Sequence, residues 1–124
     1  MSVKGLGTDI VEIARIEVAL AKSNRLAERV LTESEMQLFL NHAQPARYLA
    51  KRWAAKEAAA KAFGTGIGRG ISFQHFETSN DDLGAPHLSL SGPAQAMACE
   101  RGITCVLLSI SDESHYAMAT VILS

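Results

Sequence analysis

Apolar positions fall at helical spacing through the first half of the chain and at strand-like spacing in the second. The opening stretch, Val3 to Ile13 (VKGLGTDIVEI), reads as a short strand. Val3, Leu6, Ile10, Val11 and Ile13 are its apolar residues, and Gly5 and Gly7 predict close approach of another backbone. Ile13, Ile16, Val18 and Leu20 then alternate with Arg15, Glu17 and Lys22. Leu26, Val30 and Leu31 do the same with Arg25 and Arg29. This predicts one or two amphipathic helices with a basic outer side. Thr32-Glu33-Ser34-Glu35 fits a capping box, in which Thr32 caps and Glu35 reaches back. It opens a helix carrying Met36, Leu38, Phe39 and Leu40 that stops near Asn41. The longest helical run is RYLAKRWAAKEAAAKAFGTGIG, Arg47 to Gly68. Six alanines, the best helix formers, lie between Trp53 and Phe63. Pro45 suits a first turn and Gly64 a left-handed cap, which predicts a helix of roughly five turns.

Beyond the glycine loop the period changes. Ile71, Phe73 and Phe76 to Thr78 predict a strand, Ser79 to Gly84 a turn, and Pro86 to Leu90 a second strand. Pro93 to Arg101 reads as a helix closed by Gly102. Thr104 to Ser111 and Tyr116 to Leu123 form a hairpin across Asp112 to His115. Helices first and antiparallel strands later predict an α+β fold, helices packed on a small antiparallel sheet. The length suits one domain over residues 1–124.

Composition adds little until charge is placed along the chain. Hydrophobic residues make up 48% and the net charge is −1, both ordinary for a globular domain. Residues 1–70, however, hold eleven of the twelve Lys and Arg, while six of the thirteen acids lie beyond them. A basic first half points to an anionic partner. No signal-peptide pattern opens the chain and no apolar run reaches the ~18 residues of a membrane span. A cytoplasmic compartment is therefore expected, with Cys99 and Cys105 as free thiols and no membrane partner. His42, His75, His87 and His115 form no zinc-type pair.

Candidate chemistry gathers at three places. The alanine helix carries Trp53, Lys56, Glu57, Ala60 and Lys61 on one face by spacing, with Glu57 and Lys61 four residues apart. That pattern fits a functional face, and equally a core helix with one surface ion pair. Asp9 lies among apolar strand residues. There it is either a paired or cation-bound acid, or a cap before a helix at 12–22. The glycines at 64, 66, 68 and 70 match neither a P-loop nor a dinucleotide fingerprint, so no nucleic-acid or dinucleotide partner is expected on their account. They follow a helix C-terminus, whose dipole repels anions. A phosphate there would need loop N–H groups, Arg52, Lys61, Arg69 or a metal.

Two blocks together are specific. GTDIVEIARI (Gly7 to Ile16) and RWAAKEAAAKAFGTGIGRGISF (Arg52 to Phe73) resemble the signature blocks of the holo-acyl-carrier-protein synthases, small 4′-phosphopantetheinyl transferases. The resemblance continues through LGAP (Leu83 to Pro86) and HYAMATVIL (His115 to Leu123). It implies transfer of phosphopantetheine from coenzyme A to a serine of an acyl carrier protein, with release of 3′,5′-ADP. It also implies Mg²⁺ dependence and a homotrimer whose active sites lie between subunits. The family's metal ligands fall on Asp9 and Glu57, which with Lys61 form the implied catalytic set. Two carboxylates plus substrate oxygens and water suit such a hard cation. Arg52 matches a 3′-phosphate contact, Lys61 the lysine near the phosphates, and Gly64, Thr65, Gly66 and Pro86 the coenzyme A loops. The proton acceptor is left open between Glu57 and a water held by Asp9. The carrier-docking surface falls on Arg15, Lys22, Arg25 and Arg29, with Ile16 and Leu20 anchoring the other side of the helix. One position departs from the family pattern. Asp112 stands where many members have a histidine, with His115 shifted. An acid cannot donate to a phosphate, so Asp112 is left out of the implied site.

Overall fold

The computed structural model describes residues 2–124. Strand β1 (Gly5–Glu12) leads into helices α1 (Ile13–Lys22), α2 (Arg25–Val30) and α3 (Glu33–Leu40), then the long helix α4 (Pro45–Phe63). A small hairpin, β2 (Phe76–Asn80) and β3 (Pro86–Leu90), precedes α5 (Gly92–Glu100) and the closing hairpin, β4 (Val106–Asp112) and β5 (Tyr116–Leu123). β5 pairs antiparallel with both β1 and β4, giving the order β1-β5-β4, and β2-β3 forms a second sheet. The fold is α+β, as the periodicities predict.

Register decides which residues meet α4. Gly7 lies opposite Val121, Asp9 opposite Ala119 and Val11 opposite Ala117; Gly7, Ala117, Ala119 and Val121 are buried, and Asp9 and Val11 are partly buried. Gly5, Gly7, Asp9 and Val11 therefore face the helix, while Leu6, Thr8 and Ile10 face outward. The two glycines are required by contact. A Cβ on Gly7 would overlap the Ala58 carbonyl oxygen, and one on Gly5 that of Ala62. Glycine on the strand and alanine on the helix thus let two backbones touch, with Ala58 fully buried at the contact.

Three local expectations are corrected. Ile71 and Phe73 are not strand residues. Ser72 caps a 3-10 turn over Phe73–His75, its hydroxyl accepting from the Gln74 N–H, and the strand starts only at Phe76. Ser79 and Asn80 belong to β2, and the turn begins at Asp81, whose Oδ1 accepts from the Leu83 and Ala85 amides. Lys56 does not share the open face of Glu57 and Lys61. It is fully buried on Glu35, at 2.5 Å. The capping box at Thr32 and Glu35 forms as read, and Glu35 extends it into the interior by accepting also from the Thr78 N–H and hydroxyl.

Candidate active site

Asp9 reaches α4 because the pleat aims it there. Its Oδ1 accepts from Lys61 Nζ at 2.9 Å, and Lys61 also donates to the Thr8 carbonyl at 3.0 Å. A lysine has three donors, so one N–H of Lys61 is unengaged among the described residues. Glu57, one helical turn before Lys61, accepts the Trp53 indole N–H on Oε1 at 3.1 Å. Asp9 and Glu57 open into one cleft of about 530 Å³, whose walls include Arg15, Ile16, Leu26 and Trp53. Lys61 is tied to this cleft through its bond to Asp9. Asp9 Oδ2 and Glu57 Oε2 have no hydrogen-bond partner among the described residues. Asp9 and Glu57 thus bring two spare carboxylate oxygens to the cleft, which Glu12 also lines, with a cation beside them. That set can hold a hard divalent ion or order a hydroxyl, and the lysine can meet an anion.

Arg52 lies elsewhere. At 100° per residue it is about 180° around α4 from Lys61 and about 13 Å along the axis. Its guanidinium stacks 4.8 Å from the Tyr48 ring and donates to Asn80 Oδ1 at 3.0 Å. It is 6% exposed, and its Nε has no acceptor among the described residues. A second cleft of about 490 Å³ opens here, lined by His42, Arg47, Tyr48, Lys51, Arg52 and Asn80 among others. Arg47 and Lys51 are cations that the sequence reading missed. Their four-residue spacing along the face next to Arg52 was the available signal. Asp112 binds both, at 2.9 Å to Arg47 and 3.6 Å to Lys51, so it anchors the cations of this cleft. Pro86 adjoins it by pairing with Asn80 across the β2-β3 hairpin.

The glycine loop is not an amide cradle at its start. Gly64 takes the left-handed cap at φ 79°, and the N–H groups of Gly64, Thr65 and Gly66 bond to the Lys61 and Ala60 carbonyls. Any phosphate near Gly64 to Gly66 must therefore be met by side chains. The docking candidates also divide. Arg15, Lys22, Arg25 and Arg29 are all exposed, but Arg15 lines the carboxylate cleft and Arg29 lies over the Phe73 ring at 5.4 Å. Ile16 is fully buried, and Leu20 is half-buried against the same core.

Residues 5–121 match the model of the 4′-phosphopantetheinyl transferase superfamily. The chain is 61% identical over 123 residues to a holo-[acyl-carrier-protein] synthase from Alteromonas mediterranea, covering 99% of this chain and 98% of that protein. Its fold is similar to the crystal structure of the Neisseria meningitidis holo-[acyl-carrier-protein] synthase, with TM-score 0.90, 42% identity and 99% of each chain covered. It is also similar to the Bacillus anthracis holo-(acyl-carrier-protein) synthase in complex with CoA (3′,5′-ADP), with TM-score 0.81, 40% identity and 98% and 96% of the two chains covered.

Proposed function

The chain belongs to the 4′-phosphopantetheinyl transferase superfamily, and on that premise we propose that it is a holo-[acyl-carrier-protein] synthase, all 124 residues forming one catalytic domain. It transfers 4′-phosphopantetheine from coenzyme A to a serine of an apo-acyl carrier protein and releases adenosine 3′,5′-bisphosphate. The observation that carries this reading is that Asp9 and Glu57, from elements far apart in sequence, line one cleft, with Lys61 bonded to Asp9 beside it.

The serine oxygen attacks the β-phosphate of the pyrophosphate, its proton passing to Glu57 or to a water held by Asp9, and the bond to the departing 3′,5′-ADP oxygen breaks. Mg²⁺ fits the site. Asp9 Oδ2 and Glu57 Oε2 are spare hard donors in one cleft, and no thiolate or imidazole lines it. Bound there, such an ion would offset charge on the phosphates. Lys61 presents its unengaged N–H to the same anion, and Arg52, in the wall of the second cleft, takes the 3′-phosphate through its guanidinium. Most of the rate comes from positioning and fixed charge.

Arg52 and Lys61 lie on opposite sides of α4, so one nucleotide meets both only if two copies of the chain share it. The outer face of the sheet supports such an assembly. Leu6, Ile10, Leu107, Tyr116 and Met118 are each 41% exposed or more, a large apolar surface for a chain that stays alone. The proposed assembly is a homotrimer that buries this face, with each active site between neighbours. The carrier protein, strongly acidic in this family, docks on Arg15, Lys22, Arg25 and Arg29. No helix among the described residues is long and apolar enough to cross a membrane, in keeping with a proposed cytoplasmic location.

The test is mass spectrometry of an apo-carrier protein incubated with coenzyme A, magnesium and this protein. The expected result is a mass gain of one phosphopantetheine, with 3′,5′-ADP as the second product. An unmodified carrier across several bacterial carrier proteins would overturn the reading.

A further inference from the structure

The two oxygens of Glu57 have different surroundings. Oε1 is held by the Trp53 indole N–H at 3.1 Å, while Oε2 has no partner among the described residues. Trp53 is itself held. It packs half-buried against the core that includes Ile13, Ile16 and Ala27, and its ring forms part of the cleft wall beside Glu57. A glutamate side chain has several torsions to fix, and no other hydrogen bond among the described residues fixes this one. An ordinary core tryptophan can direct its N–H to a backbone carbonyl or to water. This one directs it to the carboxylate that faces the cleft.

We propose that Trp53 is a positioning residue for the transfer reaction: its indole N–H fixes Glu57 through Oε1 and so presents Oε2 to the cleft. The inference rests on the reading of Glu57 as a metal-side carboxylate, and it deepens that reading. A partner that orients a ligating carboxylate typically changes metal affinity or activity by about 10- to 100-fold when lost.

Trp53 is the chain's one tryptophan. Biosynthetic replacement of tryptophan by the isosteric analogue with sulfur in place of the indole N–H therefore removes this one donor and keeps the ring. The expected result has three parts. Turnover of carrier protein falls about 10- to 100-fold. KM for coenzyme A and for carrier protein stays within about twofold of wild type, because neither ligand is bound by the lost donor. Mn²⁺ affinity, measured on the protein alone by electron paramagnetic resonance, falls by a factor similar to that for turnover. Trp53→Phe is expected to follow the analogue. Wild-type turnover and Mn²⁺ affinity in the analogue, or a turnover loss matched by loss of folded protein, would make Trp53 a packing residue and overturn the inference. Glu57→Gln separates the two levels. If it keeps wild-type turnover and Mn²⁺ affinity, the site reading fails. If it loses both while the analogue keeps both, only the role of Trp53 fails.

Discussion

Lys56 and Lys61 stand five residues apart on one helix, and each meets a carboxylate, but in opposite surroundings. Lys56 is 0% exposed, its Nζ at 2.5 Å from Glu35 and 2.6 Å from the Val30 carbonyl. Glu35 also accepts from the Thr32 and Thr78 amides and the Thr78 hydroxyl. Burial pushes the Lys56 ammonium below its ordinary pKa, and the Glu35 charge pulls it back up. Lys61 is half exposed and keeps a donor free beside the cleft. The buried pair joins α2, α3, α4 and β2, and every oxygen of Glu35 is engaged. The open pair leaves one carboxylate oxygen and one N–H donor for a ligand. The buried pair thus serves architecture, while the open pair is the one proposed for chemistry, and solvent access separates the two.

Breaking the buried pair should have the largest effect. Lys56→Met leaves Glu35 as an uncompensated buried charge and is expected to cost about 3–5 kcal/mol of stability, measured by urea unfolding. The double variant Glu35→Gln/Lys56→Met should recover most of that loss. A Lys56→Met loss below 1 kcal/mol would remove the distinction between the two lysines. The open pair should behave the other way. Lys61→Met is expected to lower turnover about 10²- to 10³-fold, with stability changed by less than about 1 kcal/mol, as for other exposed pairs. A variant that unfolds instead of slowing would make Lys61 structural.

The sequence made the local half of this arrangement readable. Thr32 and Glu35 are three residues apart, so the capping box followed from spacing alone. The other half of Glu35's bonding was hidden, because Lys56 lies 21 residues away and Thr78 lies 43 away. The helical repeat placed Lys56 near Glu57 without showing that it turns inward. Close approach of a backbone at Gly5 and Gly7 was legible, since only small residues let backbones touch, but that α4 is the partner was not. Asp9 and Lys61, 52 residues apart, were grouped only through family resemblance. Arg47 and Lys51 went unremarked because their shared partner, Asp112, arrives from the far end of the chain.

Smaller effects sharpen the comparison at the other clefts. Arg52→Ala should weaken coenzyme A by about 1.5–3 kcal/mol, the usual worth of hydrogen bonds to a charged group, and should spare 3′-dephospho-coenzyme A. Equal weakening of both ligands, measured by competition binding, would remove Arg52 from the 3′-phosphate. The smallest effect belongs to the docking surface. Lys22→Glu and Arg25→Glu, which leave the carboxylate cleft untouched, should each raise carrier KM by an amount worth about 1 kcal/mol or less. The effect should fade with salt as the Debye length shrinks below about 8 Å. Carrier KM unchanged at low salt would mean that these residues are a solvated face only.

The central claim is that the open carboxylates beside Lys61 carry the transfer. Its most direct test is the single-turnover rate of carrier modification by Glu57→Gln at saturating coenzyme A, carrier protein and magnesium. The substitution keeps shape and an acceptor for Trp53 but removes the charge. The expected result is a folded protein, with unfolding free energy within about 1 kcal/mol of wild type, whose rate is lower by at least about 10²-fold. A folded Glu57→Gln protein that modifies its carrier at the wild-type rate would contradict it.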